Sequence, residues 1–330
     1  MATATPLYLN AKTVQSCLSD KEIYEIVSRM LRQLNTADVI KGPKAGFGVS
    51  VEGDHLYMGS LSGCILSDSS AGLKWFVVPS ANWSRNAPRV PATILICNAK
   101  TGLLEGVLDA TQLTCDRTAA MAIAAAFACA RRPLTNAAVI GAGHIGRALV
   151  RLLAATQAID CIAVGSRTES SSRDACDRVA SSVRGNLNLY ATADIHQAVR
   201  DADVIFTATS GPDDGNVVRT EWLREDAIVC SLGSRREVDF DLIAGAWIVV
   251  DDPEGMKARS SHFREGGAGW GRIATDVGNL MSGEIHVPEN EGRVLLLLGG
   301  LGVLDVALGA RALVNSRLKG LGIPLEPGDV

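Results

Sequence analysis

The chain has 330 residues, 47% hydrophobic and 21% charged, with 33 glycines against 11 prolines and a formal net charge of −4. At about 150 residues per domain, that length predicts two domains with a sizeable core. The composition excludes collagen-like, coiled-coil and disordered chains, and the balanced charge lacks the basic excess of a dedicated nucleic-acid binder. Eight cysteines, with no CxxC and no metal-ligand spacing, mostly stand in apolar runs. They predict reduced, buried thiols in a cytoplasmic protein, with no disulfide framework and no metal site. The N-terminus has no basic stretch leading into an apolar one, so no secretory signal is expected. The apolar run from Val294 is only about 11 residues long before Asp305, too short for a bilayer and suited to a strand, a turn and the start of a helix.

In chain order, helical spacing of Ile23, Ile26, Val27, Met30 and Leu34 predicts an amphipathic helix over Asp20–Leu34. Short strands follow at Leu56–Met58, Leu73–Val78, Ala92–Cys97 and Leu104–Asp109, each closed by glycine or a turn. Thr111–Ala130 reads as a long alanine-rich helix stopped by Arg131-Arg132-Pro133. From Asn136 strand and helix alternate strictly. AAVIGAG, CIAVGSR, Leu187–Tyr190, DVIFTATS, AIVCSLGS and WIVVDD are strands, with helices over residues 144–158 and Ser170–Val183. Continuously apolar strands of this kind are buried on both faces, which predicts a parallel sheet with helices on either side. A last helix is expected over Leu304–Lys319. The expected architecture is α/β: a Rossmann-type doubly wound parallel sheet over 121–304, and an α+β domain from 1–120 plus 305–330.

Gly141-Ala142-Gly143-His144-Ile145-Gly146 fits GxGxxG between a predicted strand and a predicted helix. Gly141 permits the tight turn, Gly143 lets backbone approach a pyrophosphate, and Gly146 lets the helix pack closely. His144 and Ile145 fall in the same loop as cofactor contacts. Where NAD-binding chains place a carboxylate on the ribose 2′-hydroxyl, the second strand ends in Gly165-Ser166-Arg167-Thr168. Without that acid, and with Ser166, Arg167 and Thr168 available to a 2′-phosphate, NADP(H) is favoured and NAD(H) is the alternative. Thr207-Ala208-Thr209 and Ser231-Leu232-Gly233 end two further strands and are expected to line the same crevice near the nicotinamide, joined by Thr118.

Three cations mark the substrate side: Lys44 after Pro43, Lys74 inside the apolar strand Gly72-Leu-Lys74-Trp-Phe-Val-Val, and Arg117 in the long helix. A lysine inside an apolar strand is costly unless it has a partner or a task. Gly72-Leu-Lys74-Trp, the Pro88–Pro91 segment, Thr101-Gly, Leu108-Asp-Ala-Thr-Gln-Leu-Thr-Cys-Asp-Arg117-Thr-Ala-Ala and then the glycine motif occur in that order. Together they resemble the ornithine cyclodeaminase/mu-crystallin family over nearly the whole chain. The resemblance implies a homodimer, with the N-terminal region and C-terminal tail forming the substrate and dimerisation domain. It also implies that Lys44, Lys74 and Arg117 hold the substrate carboxylate and reacting group.

Two departures refine this. Lys44 stands where the family usually has arginine, which keeps the charge and loses the bidentate fork. True cyclodeaminases resemble Gly-Gly-Asp-Cys-Pro-Gly-Lys-Thr-Glu after the fifth strand, with the aspartate as acid/base. This chain reads Ser231-Leu-Gly233-Ser234-Arg235-Arg236-Glu237, with Ser234 near that position on the substrate side. The expected activity is therefore NAD(P)H-dependent reduction of an α-imino (ketimine) acid to an amino acid, or the reverse. Lys74 and Arg117 are the expected catalytic residues, and the substrate would bind between the domains. The rivals are a cyclodeaminase with tightly bound NAD, an enzyme like N-(2-amino-2-carboxyethyl)glutamate synthase, and a non-catalytic NADP-dependent small-ligand binder. Asp305, at the start of the last helix, reads equally as a cap, a loop anchor or a catalytic group, and the glycine-rich stretch 266–271 as a loop without assigned role.

Overall fold

The computed structural model describes residues 5–51, 54–78, 90–180, 187–209, 216–233, 237–259, 263, 265–267, 269 and 271–326. The chain opens with β1 (Leu7–Leu9), α1 (Ala11–Cys17), α2 (Asp20–Gln33), β2 (Val39–Val51), β3 (Asp54–Ile65), β4 (Ser70–Val78), β5 (Ala92–Asn98) and β6 (Leu104–Asp109). Next come α3 (Thr111–Ala128), β7 (Asn136–Ile140), α4 (His144–Thr156), β8 (Cys161–Gly165), α5 (Glu169–Ala180), β9 (Asn188–Thr192), α6 (Ile195–Val199) and β10 (Val204–Thr207). It continues through β11 (Ile228–Ser231), α7 (Phe240–Gly245), β12 (Trp247–Val250), α8 (Pro253–Arg259), β13 (Ile273–Asp276) and α9 (Val277–Ser282). It closes with β14 (Val294–Leu297), α10 (Gly302–Leu318) and β15 (Ile323–Pro324). Among the described residues, no helix is long and apolar enough to cross a membrane.

The chain divides into two compact units, Met1–Arg117 with Leu301–Val330, and Thr118–Gly300. Against the expected limits at 120 and 305, the first division falls within α3 and the second just ahead of α10. The start of α10 goes with the first unit because it lies on that unit's sheet: a Cβ at Gly302 would come within 2.4 Å of the Ser62 carbonyl oxygen.

The first unit is built on a seven-stranded sheet in the order β15-β1-β6-β5-β4-β3-β2. β2 to β6 form an antiparallel meander, and β1 joins β6 in parallel. Ser19 and Glu22 close a capping box at the start of α2, whose apolar stripe Ile23, Ile26, Val27, Met30 and Leu31 is buried. β2 and β3 are much longer than the Leu56–Met58 segment read from the sequence. Their glycines and serines break the apolar alternation, so the ladder arises from cross-strand hydrogen bonding that a periodicity test does not see. α10 lies on the face of the sheet that carries Ile94 and Ile96. Gly63 and Gly106 make room for it, since a Cβ at either would come within 2.5 Å of Val303 or Leu313.

The second unit carries an eight-stranded sheet, β13-β12-β14-β11-β10-β7-β8-β9, with every registered pair parallel. β10, β11 and β14 are buried along their whole length, as continuous apolar strands should be. From β7 the chain runs outward through β8 and β9, then returns to β10 and β11 on the other side. The switch point of this Rossmann-type sheet therefore lies between β7 and β10. On one face Ala138, Ile140, Ile205, Val229, Ile248 and Leu295 pack with Val199, Leu242 and Ile243 of the crossing helices.

All eight cysteines are free. Cys17, Cys115, Cys129, Cys176 and Cys230 are buried, while Cys64, Cys97 and Cys161 are only half-buried, so the uniform burial expected for them is corrected. Burial pushes the Cys129 thiol up to about 12, leaving it inert at neutral pH.

The Arg131-Arg132-Pro133 stop ties the N-terminal edge of this sheet. Arg132 Nη2 donates to Asp203 at 2.8 Å, and the same carboxylate accepts from the backbone N–H groups of Thr135 and Asn136. Burial raises the Asp203 pKa, but the bonds from Arg132, Asn136 and Thr135 outweigh it and bring it down to about 2. A carboxyl lowered on folding contributes stability above its unfolded pKa, and that contribution disappears as the pH falls toward the folded one. Asp203→Ala is expected to cost about 2–3 kcal/mol at pH 7. The deficit relative to the parent chain should shrink between about pH 4 and pH 2 in urea unfolding.

Candidate active site

β4 alternates as a strand must, so Leu73 and Trp75 face out while Lys74 and Phe76 face α10. Register places Lys44 of β2, Leu61 of β3 and Lys74 of β4 directly across from one another on that inner face. The Nζ atoms of Lys44 and Lys74 each stand 5.7 Å from the centre of the Phe76 ring. Lys74 is 1% exposed, and its ammonium donates to Asp305 Oδ1 at 3.0 Å. Arg117 comes off α3, a helix buried on nearly all sides, and its Nε donates to the same oxygen at 3.1 Å. Asp305, in the first turn of α10, is fully buried.

One carboxylate thus holds two buried cations, with Lys44 close by. Burial, reinforced by the Arg117 charge, presses the Lys74 pKa down, Asp305 resists, and the result is about 7. The neighbouring Lys44 also lowers it. Lys74 has two hydrogens beyond the one given to Asp305, and the terminal nitrogens of Arg117 donate to none of the described residues. An excess of positive charge, with the planar fork of an arginine fixed beside an ammonium, is the arrangement that grips a carboxylate. Asp305 is the part that sequence reasoning left unassigned. Its place ahead of an apolar helix was the available signal, but its partners are 231 and 188 residues away in the chain.

In the second unit β7 leads into the glycine turn. Gly141 has φ +113°, a conformation only glycine adopts easily, and Gly146 allows α4 to start against the turn's own carbonyl, 1.7 Å from where a Cβ would sit. Gly143 caps α4 without a side-chain hydrogen bond, and a Cβ there would meet nothing within 4 Å. The backbone at Gly143, where α4 begins, therefore has open space beside it, as close approach of a pyrophosphate requires, and the turn fits a dinucleotide. His144 is exposed at the first helical position and Ile145 is half-buried.

At the end of β8 Ser166 donates to the Thr168 carbonyl and bonds Ser172, Thr168 donates to Ser171, and Arg167 is exposed. The nearest acid, Glu169, is engaged by Arg173. Thr207 and Ser231 are buried beneath the strand ends, while Ala208, Thr209 and Gly233 reach the surface. Thr118 is buried on α3. Ser234, and the Pro88–Arg89 part of the segment before β5, lie outside the described residues.

A parallel sheet with this switch point and glycine turn, accompanied by a cationic cluster on a separate α+β unit, defines a dinucleotide-dependent two-domain protein. The ornithine cyclodeaminase/mu-crystallin family model matches residues 5–319, and the chain belongs to that family. It is 27% identical over 210 residues to a Delta(1)-pyrroline-2-carboxylate reductase of Paracoccus denitrificans, covering 60% of this chain and 65% of the relative. Its fold is similar to that of Thermococcus litoralis Delta(1)-pyrroline-2-carboxylate reductase in complex with NADH and L-proline. That similarity has a TM-score of 0.86 and 22% identity over 97% of this chain and 100% of the other. An archaeal alanine dehydrogenase dimer with bound NAD superposes with a TM-score of 0.84 at 23% identity, covering 97% and 99% of the two chains.

Asp305→Asn keeps the shape and removes the charge that balances two buried cations. The expected loss is about 3–5 kcal/mol of stability in urea unfolding at pH 6. The deficit should be smaller at pH 9, because Lys74, without Asp305 to hold its proton, sheds its charge below pH 7.

Proposed function

We propose that the protein is an NAD(P)H-dependent oxidoreductase that reduces an α-imino acid to the amino acid, or runs the reverse reaction. The observation that carries this reading is the Lys74–Asp305–Arg117 cluster, which combines an anion grip with a proton donor near neutrality. The named relatives that act on small cyclic or open-chain imino and amino acids support the same substrate class. When bound, the nicotinamide supplies or accepts the hydride. The terminal nitrogens of Arg117, helped by Lys44, hold the substrate carboxylate and orient the imine carbon for hydride attack. As the C=N pair withdraws to nitrogen, Lys74 delivers a proton there, and imine, hydride and proton sum to the amine. Asp305 holds Lys74 and Arg117 in place throughout.

The finer assignments follow the same residues. Ser166, Arg167 and Thr168 favour NADP(H), since none of the three is an acid and Glu169, which follows them, is held by Arg173. A homodimer is supported by the outer face of the first unit's sheet. There Phe47 (53% exposed), Leu73 and Trp75 form an apolar surface, with the Phe47 and Trp75 rings 6.4 Å apart. The eight free thiols support a reducing, cytoplasmic compartment.

Coenzyme oxidation, followed optically with NADPH and NADH, tests the reading against Δ1-pyrroline-2-carboxylate, Δ1-piperideine-2-carboxylate, iminosuccinate and pyruvate with amines. Turnover of at least one imino acid is expected, and silence across the panel overturns the assignment. Lys74→Ala should reduce kcat by about a thousandfold and leave NADPH affinity within about twofold. In the parent chain, reductive kcat/KM should fall as pH rises through about 7, where Lys74 loses its proton, and the oxidative direction should show the opposite slope. Arg167→Ala should weaken NADPH by about tenfold or more and NADH little, and equal losses would remove the 2′-phosphate contact.

A further inference from the structure

Glu237 follows β11 and is wholly buried, yet nothing in the reaction described above uses it. Among the described residues, its carboxylate accepts five hydrogen bonds from the ends of two adjacent strands. Oε1 takes the backbone N–H of Thr209 at 2.6 Å and the Thr209 hydroxyl at 2.8 Å. Oε2 takes the Thr207 hydroxyl at 2.7 Å, the Ser231 hydroxyl at 2.8 Å and the Gly233 N–H at 2.9 Å. The two loops approach so closely that a Cβ at Gly233 would lie 2.4 Å from the Thr209 carbonyl oxygen. The Glu237 carbonyl in turn accepts from the N–H groups of Val217 and Val218, which fixes its own backbone.

Two consequences follow from elementary hydrogen-bond chemistry. A carboxylate with five donors joins the carboxyl ends of β10 and β11 into one preformed edge. A hydroxyl has a single hydrogen, so the hydroxyls of Thr207, Thr209 and Ser231, having donated to Glu237, keep only acceptor lone pairs for any other group. Of these, Thr209 is the one that reaches the surface. The edge therefore differs in kind from the glycine turn beside it. The turn is a place where backbone can approach a phosphate, whereas this edge has its donors turned inward onto a buried carboxylate. In an open parallel sheet a dinucleotide lies across the switch point, with its pyrophosphate at the glycine turn and its two nucleosides on opposite sides.

We propose that Glu237 is a positioning residue for the nicotinamide half of the coenzyme, shaping the β10–β11 edge to take the hydroxyl- and amide-bearing nucleoside and to turn phosphate away. This inference rests on the reading of the second unit as the dinucleotide carrier. Thr207, Thr209, Ser231 and Gly233 then serve the coenzyme largely through Glu237, and the adenosine half is indifferent to it.

Glu237→Gln is close to isosteric but has one oxygen. Whichever way the amide turns, the N–H of Thr209 or of Gly233 faces an NH2 group and that loop is released. Calorimetric titration of the full chain with NADPH, NADH, ADP and 2′,5′-ADP, the last two ending before the nicotinamide-side ribose, reads the effect. The expected result is about tenfold weaker binding of the complete coenzyme, with fragment affinities within about twofold of the parent chain. A general loss of structure would weaken coenzyme and fragments alike, and either that result or unchanged coenzyme affinity overturns the proposal. Should Glu237→Gln fail to fold, Thr209→Val removes one hydroxyl bond and leaves the carboxylate in place. It should weaken the coenzyme by about threefold and the fragments not at all, and no difference between them again overturns it. A parent chain that binds none of the four probes would instead overturn the dinucleotide reading on which the proposal stands.

Discussion

The organising constraint of the first unit is a set of charges gathered where the side chains are closed off from solvent. Two cations, Lys74 and Arg117, converge on a single oxygen of Asp305, and all three side chains are almost completely buried. A buried carboxylate alone would be protonated, and a buried lysine alone would be neutral. Asp305 offsets part of the cost of burying the ammonium, and Lys74 is left near the middle of its titration at neutral pH. The close approach of α10 to the sheet, over glycines of β3 and β6, makes the meeting possible. The apolar interior around β4 therefore does two things: it excludes water and it sets the proton affinity of the lysine.

The second unit solves a related problem by sorting donors from acceptors. At the glycine turn α4 begins on Gly143, whose lack of a side chain leaves the helix N-terminus without a cap from that residue. One step along the same sheet edge, the N–H and O–H groups at the ends of β10 and β11 turn inward onto Glu237. A flexible, highly charged molecule such as a dinucleotide can then be laid down in one direction, phosphate toward donors and nucleoside toward acceptors. The family match supplies the general context, and the distribution of hydrogen-bond capacity along the strand ends supplies the physical reason for the polarity.

Much of this was legible in the chain. Continuous apolar strands separated by helices announced the parallel sheet, and Gly141 and Gly146 have the local geometry their spacing implied. Lys74 stood out because a lysine between leucine and tryptophan in a strand is costly to bury, and the register confirms that it faces inward beside Lys44. The β2–β3 hairpin was largely invisible, since residues such as Gly42, Gly46, Gly59 and Gly63 carry no apolar alternation. Thr207 and Ser231 were read as lining the crevice at the strand ends, and nothing in the sequence signalled that both are buried with their hydroxyls turned to Glu237.

What the sequence determined by itself was local or periodic: the alternation of elements, the glycine turn, the family, and the oddity of a buried lysine. Those features depend on residues within a turn or two of one another, where spacing maps directly onto geometry. Only the tertiary structure decided the partners. Asp305 meets Lys74 across 231 residues and Arg117 across 188, and Glu237 gathers groups from two strand ends. Such contacts arise because strands separated along the chain become neighbours in a sheet and a helix returns to cover it. A carboxylate's role, unlike a glycine's, depends on which donors that folding brings within 3 Å or so of it.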